Sequence, residues 1–580
     1  MKVPSNQFGF EELRAARRES RALFWAAGLF SAFVNLLMLT GPLYMLQVYD
    51  RVLGSRSVAT LLALTALVVF LYTMMGLLDY ARGRIMARAG ARFQARLDKR
   101  VFDAVMRKNA LGQQDETALA LRDLEAVQRL LTSPALMALF DMPFAPLFLF
   151  GIFLFHPWLG YLAIVGGALL IVLTLTNLLA TRRPLNRANS AVAHAEILSE
   201  QIRSEAEMIE AMGMRASAFA RWQKARTASL SEHMTAADLS GVFTTSGKAF
   251  RLLLQSAMLG LGAYLVLQNQ LTPGAMIAGS ILMGRALAPI EMSIGHWPLF
   301  ARARKGWQVL AQLLSDVPPE PSRMPLPRPN ALLEVIQVTV VPPGEAQASL
   351  KVVNFTVKPG QAVGVIGKSG AGKSSLARAL TGAWRPAGGK IRLDGAALDQ
   401  YDPTILGDLI GYLPQRVELF EGTIAENIAR LSLAPDAAAV VKAAQRADAH
   451  AMIVALPDGY DTKVSANGGR LSGGQVQRIG LARAMYGDPV VLILDEPNSN
   501  LDNDGSQALN RAISTFRKEG KSVLIMAHRP AAIEQCDILL MLEEGRVLSF
   551  GPKEEVLRRM VQNHSEITKQ ASKGEGGGTL

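Results

Sequence analysis

The stretch "AVGVIGKSGAGKSSLARAL", residues 362–380, decides the fold of the second half of the chain. An apolar strand enters a glycine-rich turn and then a helix, and residues 367–374 fit G-x-x-x-x-G-K-[ST] at every position. In this pattern, backbone N–H groups of the turn and the helix N-terminus bind phosphate oxygens. Lys373 is predicted to reach the β- and γ-phosphates of ATP, and the Ser374 hydroxyl to bind Mg²⁺. The residues predicted to bind the nucleotide here are Gly367, Lys368, Ser369, Gly370, Ala371, Gly372, Lys373, Ser374 and Ser375.

A second motif, "PVVLILDEP" (489–497), is an apolar strand that ends in two carboxylates. Fully apolar strands are typical of a parallel sheet that is buried on both faces. Adjacent carboxylates at the end of such a strand are costly unless a metal ion or substrate uses them. We predict that Asp495 supports Mg²⁺ and that Glu496 orients or deprotonates the attacking water. The second half of the chain is therefore expected to be an α/β ATPase.

The first half of the chain has the composition of a membrane protein. Half of all residues are apolar and only 19% are charged, whereas soluble domains have about a quarter charged. Six runs are long enough to cross a bilayer, which takes about 20 residues each. They lie near 22–46, 58–78, 134–155, 158–180, 248–267 and 272–292. The first run is too long, and too far from the N-terminus, for a cleavable signal peptide.

Basic residues predict the orientation of these spans. Five lie in residues 1–21, eleven in 79–133 and eight in 181–247, while the three short connections carry two, none and none. The positive-inside rule then places both termini, the two long connections and the ATPase in the cytoplasm. The net charge of +12 is thus mostly juxtamembrane, and we expect no nucleic-acid partner.

The two long connections are rich in helix-forming residues and are predicted to extend the spans as helical arms, turning near 111–113 and 212–213. A separate soluble helical subdomain is the alternative. Ionisable residues in spans are costly in lipid. We hypothesise that four of them line a polar vestibule open to the cytosol, with snorkelling at the interface as the alternative for Arg251 and Glu291. The four are Asp141, Arg251, Arg285 and Glu291.

The predicted organisation is a cytoplasmic N-terminal segment (1–21), an all-α six-helix transmembrane domain (22–314), a Pro-rich linker (315–330), an ATPase domain (331–560) and a disordered tail (561–580). A single cysteine, Cys536, excludes an internal disulfide.

The segment "LSGGQVQR" (471–478) carries a family resemblance. LSGGQ is the signature of the ABC ATPases, and residues 331–560 resemble that family throughout. Gln415 is similar to its Q-loop glutamine, Asp502 to its D-loop aspartate and His528 to its switch histidine. The resemblance implies a head-to-tail homodimer, in which each ATP lies between one phosphate loop and the signature of the other protomer. The implied signature contacts are Ser472, Gly473, Gly474 and Gln475. The implied catalytic set is Glu496, His528, Gln415 and Lys373, and the implied Mg²⁺ ligands are Ser374, Gln415 and Asp495.

Two positions depart from the family pattern. Residues 333–354 contain no aromatic to stack on adenine, and Pro342 occupies the usual place of one. Ala466 stands where many exporters carry a glutamate. Adenine recognition and coupling to the arms are therefore expected to differ from the pattern.

Six spans followed by one ATPase resemble an ABC exporter half-transporter. The stretches 41–65 ("GPLYMLQVYDRVLGSRSVATLLALT"), 139–150, 210–214 and 288–297 resemble the type I secretion ATPases that export metalloproteases and RTX proteins. No peptidase domain is expected ahead of the first span.

This resemblance implies ATP-driven export of an unfolded polypeptide with a C-terminal signal across the bacterial inner membrane. It also implies a periplasmic adaptor and an outer-membrane channel as partners, with membrane lipid around the spans. A lipid or multidrug exporter of the same architecture is the alternative. A nucleotide-gated channel is a further one, which the intact hydrolytic residues disfavour. The six spans exclude a soluble or DNA-associated ABC ATPase.

Overall fold

The computed structural model describes residues 8–112, 120–320, 323–465, 471–499, 501, 503–527 and 533–559. The chain divides into two compact units: a helical one, which comprises Met1–Arg107 and Asp115–Pro318, and a second, which comprises Lys108–Gln114 and Pro319–Leu580. The predicted fold class, a six-span helical unit followed by an α/β unit, is confirmed. The predicted tail, 561–580, and the predicted functional residues Asp502 and His528 lie outside the described residues.

The helical unit is built from thirteen described α-helices. They are α1 (Phe8–Arg18), α2 (Arg21–Leu37), α3 (Thr40–Gln47), α4 (Leu53–Ser55), α5 (Val58–Ala110), α6 (Ala120–Leu131), α7 (Pro134–Asp141), α8 (Ala145–Phe155), α9 (Pro157–Ser204), α10 (Ala206–Ala211), α11 (Arg215–Leu267), α12 (Pro273–Gly295) and α13 (Trp297–Asp316). Among the described residues, six stretches are long and apolar enough to cross a membrane, as predicted. They are Arg21–Ser55, Val58–Ala110, Pro134–Phe155, Pro157–Ser204, Arg215–Leu267 and Pro273–Ser293.

Three spans continue as single helices into the predicted arms. Helix α5 has 53 residues and is about 80 Å long at 1.5 Å per residue. Helices α9 and α11 pack side by side. Gly112 and Gly213 have positive φ angles, +77° and +64°, which end the arms where the sequence predicts turns. The alternative of a separate soluble subdomain is wrong, because the arms and spans are the same helices.

The N-terminal helix α1 belongs to a helical cluster beyond the spans. It packs on α13, which packs on α6, and the buried core includes Leu13, Phe93, Leu97, Leu124, Leu310 and Leu314. The backbone N–H of Gly9 donates to Ser315 Oγ at 2.9 Å, and a Cβ at Gly9 would overlap the Ala311 carbonyl oxygen. Helix α13 continues to Asp316, past the predicted start of the linker at residue 315, and α1 covers its apolar face.

Asp141, which was predicted to line the vestibule, lies in a polar cluster around the buried Arg82, and its own side chain is 14% exposed. Arg82 donates to Asp141 Oδ1 at 2.7 Å and to Ser31 Oγ at 2.9 Å. Asn35 Nδ2 donates to the same Asp141 oxygen at 2.7 Å, and Asp79 accepts from Arg82 Nη2 at 2.7 Å. The Arg82 side chain is 6% exposed. This cluster ties the first three spans together by matching a buried cation with carboxylates.

The other three ionisable residues behave differently. Arg251 and Glu291 form an ion pair at 3.1 Å. Arg285 is exposed and has no ion-pair partner among the described residues, so the vestibule hypothesis stays a prediction for it.

We predict that Asp141→Asn destabilises the protein, by less than the about 3–5 kcal/mol expected for a fully unpaired buried charge, because the buried Arg82 loses one of its two carboxylate partners and keeps Asp79. Adding Arg82→Gln should recover part of that loss. Thermal unfolding of the purified protein in detergent measures both effects. The control is Arg84→Gln, which removes an exposed arginine two positions away. A double variant as unstable as the sum of its parts would contradict the pairing.

The helical stretch of the first span, predicted near 22–46, runs from Arg21 to Ser55. One π-helical turn, Val48–Val52, follows α3 and carries the Asp50 carboxylate to the start of α12. Asp50 Oδ2 accepts from Thr272 Oγ1 at 2.7 Å, and Oδ1 accepts from the Gly274 N–H at 2.9 Å. A carboxylate at a helix N-terminus satisfies free N–H groups and the helix dipole. Asp50 therefore joins the first span to the sixth.

We predict that Asp50→Ala and Gly274→Ala each destabilise the protein, by about 1 kcal/mol for the lost cap. A Cβ at Gly274 would lie 2.6 Å from Asp50 Oδ1, so both changes break one contact and their effects should not add. Thermal shifts of the singles, the double and the neighbouring control Arg51→Ala measure this. Additive shifts would show that the two changes do not act through the Asp50–Gly274 contact.

The second unit contains two main sheets. Its strands are β1 (Leu333–Val340), β2 (Leu350–Val357), β3 (Ala362–Ile366), β4 (Gly388–Leu393), β5 (Ala396–Ala397), β6 (Ile410–Leu413), β7 (Gly422–Thr423), β8 (Lys463–Val464), β9 (Val491–Asp495), β10 (Ser522–Ala527), β11 (Ile538–Glu543) and β12 (Arg546–Pro552). Its described helices are α14 (Lys373–Leu380), α15 (Pro403–Leu409), α16 (Ile424–Ile428), α17 (Ala437–Arg446), α18 (His450–Val454), α19 (Gly473–Met485) and α20 (Asn503–Lys518). The larger sheet has the order β12-β11-β3-β10-β9-β6 and is parallel except for β12. The smaller has the order β2-β1-β4-β5.

The central strands of the larger sheet, β3, β9 and β10, are buried on both faces. Along β9, Val491 and Ile493 face one apolar cluster while Leu492 and Leu494 face the other. Parallel strands buried in this way end at a common edge. Strands β3 and β9 both pair with β10, which brings the phosphate loop close to the two carboxylates.

Candidate nucleotide site

The glycine-rich turn predicted to bind phosphate joins β3 to α14. Gly370 and Gly372 have φ angles of +80° and +100°, which side chains other than glycine rarely adopt. A Cβ at Gly372 would lie 2.7 Å from the Ser349 carbonyl oxygen. Helix α14 then begins at Lys373 with no side-chain cap, which leaves its first N–H groups for an anion.

Lys373 is held against its own loop. Its Nζ donates to the carbonyl oxygens of Gly367 at 2.8 Å and Lys368 at 3.0 Å, and the residue is only 5% exposed. Burial lowers the pKa of Lys373, while the charges of Glu496 and Asp495 act in the opposite direction. The ammonium group is thus already positioned beside the loop in which phosphates are predicted to bind.

Asp495 lies at the end of β9 and is 3% exposed. Burial raises the pKa of its carboxyl group; a hydrogen bond with the Ser374 side chain opposes this shift, and the Glu496 charge adds to it. Within the described residues, Asp495 Oδ1 has no hydrogen-bond partner. A buried carboxylate oxygen and a hydroxyl therefore lie together, as a hard cation requires.

Glu496 turns out of the strand in a left-handed conformation, with φ of +50°. Its N–H donates to the Met526 carbonyl oxygen in β10 at 2.9 Å, and its Oε2 accepts from Gln415 Nε2 at 3.0 Å. A non-glycine residue in this conformation is strained and persists only when its surroundings hold it. The structure thus brings two of the predicted catalytic residues into direct contact.

The signature segment forms the start of helix α19. Ser472 caps this helix: its Oγ accepts from Gln475 N–H at 3.3 Å, and its own N–H donates to Gln475 Oε1 at 2.9 Å. Ser472 and Gly473 are exposed. These residues therefore offer a helix N-terminus to a ligand rather than packing inside the unit.

Gln477 was not predicted from the sequence. It is 3% exposed, and its Nε2 donates to the Pro497 carbonyl oxygen. The signature helix is thereby bonded to the residue that follows Glu496. The available signal was its spacing from the buried residues Gly480 and Leu481, which places a polar side chain on the packed face of α19.

Pro342 occupies the place where the family pattern has an aromatic that stacks on adenine. Pro342 is buried, and the exposed part of this loop is 344–347. Ala466, Asp502 and His528 lie outside the described residues, so their predicted roles rest on the motifs.

The fold and the site together define an ABC transporter with its membrane region and ATPase on one chain. Residues 24–288 match the ABC transporter transmembrane region, and residues 350–499 match the ABC transporter domain.

The proteins that this chain resembles indicate which group of ABC transporters it belongs to. The type I secretion system ATP-binding protein PrsD of Rhizobium meliloti (strain 1021) is 44% identical over 94% of both chains. The exotoxin translocation ATP-binding protein PaxB of Pasteurella aerogenes and the leukotoxin translocation ATP-binding protein LktB of Mannheimia glucosida are each 28% identical, over 95% of this chain and 78% of theirs.

A solved structure of a bacterial Atm1-family ABC exporter with ATP bound has a TM-score of 0.77. It is 22% identical over 95% of this chain and 98% of that chain, so it shows the fold alone. The chain belongs to the ABC transporter family, as a half-transporter of the type I secretion group. It binds ATP and couples ATP hydrolysis to transport.

We predict that Glu496→Gln still binds ATP but hydrolyses it about 10²–10⁴-fold more slowly, because the predicted general base is lost. Lys373→Ala should instead weaken ATP binding, since a phosphate contact is removed. Phosphate release and binding of a fluorescent ATP analogue separate the two effects. The control is Glu544→Gln, at an exposed position. Near-normal hydrolysis by Glu496→Gln would remove this residue from the catalytic role.

Proposed function

We propose that this transporter exports an unfolded polypeptide with an uncleaved C-terminal signal, as the ABC component of a type I secretion system. The observation that carries the proposal is the 44% identity to a type I secretion protein over 94% of both chains. The toxin translocation proteins, which are more distant, support the same substrate class. The six spans and the ATPase supply the architecture that such export needs.

For the ATP site, we propose that Mg²⁺ is held by Ser374 and Asp495, with Gln415 as the third protein group. The unpartnered Asp495 oxygen beside the Ser374 hydroxyl fits this ion, and a bound cation would offset the cost of burying that carboxylate. When bound, Mg²⁺ would neutralise charge on the phosphates. Glu496 would orient the attacking water while Gln415 holds its carboxylate. His528 and Asp502 are assigned by the motifs.

We propose that the active form is a head-to-tail homodimer. The chain has one phosphate loop and one signature segment, and the exposed start of α19 offers Ser472, Gly473 and Gly474 to a ligand outside its own turn. In a head-to-tail dimer, each signature would bind the nucleotide held by the other phosphate loop. Each ATP site would then be complete only in the dimer.

The distribution of basic residues supports an orientation in the bacterial inner membrane with both termini and the ATPase in the cytoplasm. For export across the outer membrane as well, we propose a periplasmic adaptor and an outer-membrane channel as partners. No nucleic acid is proposed as a partner.

Deletion of the gene, followed by comparison of secreted proteins, tests the export function. We expect specific extracellular proteins to disappear and to return with the wild-type gene but not with the Glu496→Gln variant. An unchanged set of secreted proteins, with altered lipid composition or drug sensitivity, would instead identify a lipid or multidrug exporter.

A further inference from the structure

An apolar groove opens beside the first span, where α1 passes into α2. Its volume is about 700 Å³, within the range of ligand sites in proteins, roughly 300–1,000 Å³. One wall is the first two turns of α2, and the other is the junction of α7 and α8. The walls are formed by Phe24, Trp25, Gly28, Leu29, Phe140 and Phe144.

These walls face outward. Trp25 is 75% exposed and Leu29 is 61% exposed. Gly28 forms a notch in the α2 wall, since a Cβ there would still lie 3.9 Å from the Phe140 ring. An open apolar surface within a membrane span is a surface for acyl chains, and exposed tryptophan is typical of the membrane interface.

Three arginines line the same groove at its predicted cytoplasmic end: Arg17, Arg18 and Arg21. Arg17 lies over the Trp307 ring, 5.9 Å from its centroid. Arg18 and Arg21 have no ion-pair partner within the described part of the chain. Two nearby acidic residues form ion pairs with other arginines: Glu12 pairs with Arg100 at 3.0 Å, and Glu19 pairs with Arg96 at 3.2 Å.

The position of Arg21 also favours a bound anion. It is the first residue of α2, which has neither an acidic residue in its first turn nor a side-chain cap. A cation at a helix N-terminus opposes the helix dipole. An anion between Arg18 and Arg21 would offset both the dipole and the arginine charges.

We propose that this groove is a binding site for an anionic phospholipid of the cytoplasmic leaflet. The phosphate group lies between Arg18 and Arg21, and an acyl chain lies along Trp25, Gly28 and Leu29. A free phosphate would leave the apolar walls uncovered, and a neutral lipid would leave the arginines unmatched. Basic pockets beside spans on the cytoplasmic side bind anionic head groups in this way.

Trp25 provides the measurement. The full-length protein is reconstituted in phosphatidylcholine vesicles that contain a small fraction of brominated phosphatidylglycerol or brominated phosphatidylcholine. The difference in fluorescence between the wild type and Trp25→Phe isolates Trp25 from the other tryptophans. We expect brominated phosphatidylglycerol to quench Trp25 several-fold more strongly.

Each basic side chain near an anionic surface strengthens binding about fivefold. The Arg18→Gln/Arg21→Gln variant should therefore lose the preference for phosphatidylglycerol. The matched control, Arg14→Gln/Arg92→Gln, removes two exposed arginines outside the groove and should keep the preference. Gly28→Leu fills the notch without changing charge and should reduce quenching by both lipids.

Equal quenching by the two lipids in the wild type would overturn the proposal, as would a preference that survives in Arg18→Gln/Arg21→Gln. An equal loss in the control would show general surface attraction instead of a site. Protection of Trp25 from both lipids would show that protein, such as a second copy of the chain, covers the groove.

Discussion

The pairing of three buried parallel strands, β3, β10 and β9, sets the positions of Lys373, Asp495 and Glu496 in the nucleotide site. Strand β3 ends in the phosphate loop and β9 ends in Asp495, and both are bonded to β10. Strand β10 also holds Glu496, because the Glu496 N–H donates a hydrogen bond to the carbonyl oxygen of Met526 in that strand. Because these strands are buried on both faces, a shift of one residue in register would expose apolar side chains along the whole strand. The sheet thus holds Lys373 and the carboxylates in place before any ligand binds.

In the membrane unit, a buried charge is compensated by other side chains and not by a ligand. The buried Arg82 is matched by Asp141 and Asp79, whereas Asp50, which contacts the start of α12, is exposed. In the nucleotide site, by contrast, the Asp495 oxygen has no partner among the described residues. A matched buried charge is a structural link between helices, whereas an unmatched one marks a place where a ligand completes the protein.

The sequence predicted those features that depend on residues close together in the chain. The six spans follow from apolar run length, and the phosphate loop and its strand follow from one motif of eight residues. The contacts that the sequence did not predict all involve distant partners. The pairing of Asp141 was not predicted because Arg82 lies 59 positions away. The contact of Asp50 was not predicted because only the fold supplies Gly274 as its donor. Helix α13 was not predicted because its apolar face is covered by α1, from the other end of the membrane unit.

The contact between α1 and α13 connects the groove beside the first span to the last helix of the membrane unit. Gly9 lies so close to Ala311 that no side chain fits between the helices, and Leu13 is fully buried in the same cluster. Close-packed interiors of this kind resist deformation, so α1 and α13 must move together. Arg17 and Arg18 lie at the end of α1, while α13 is the last helix before the ATPase begins. Arginines that line a groove in the membrane are therefore part of the same packed body as the helix that leads into the ATPase.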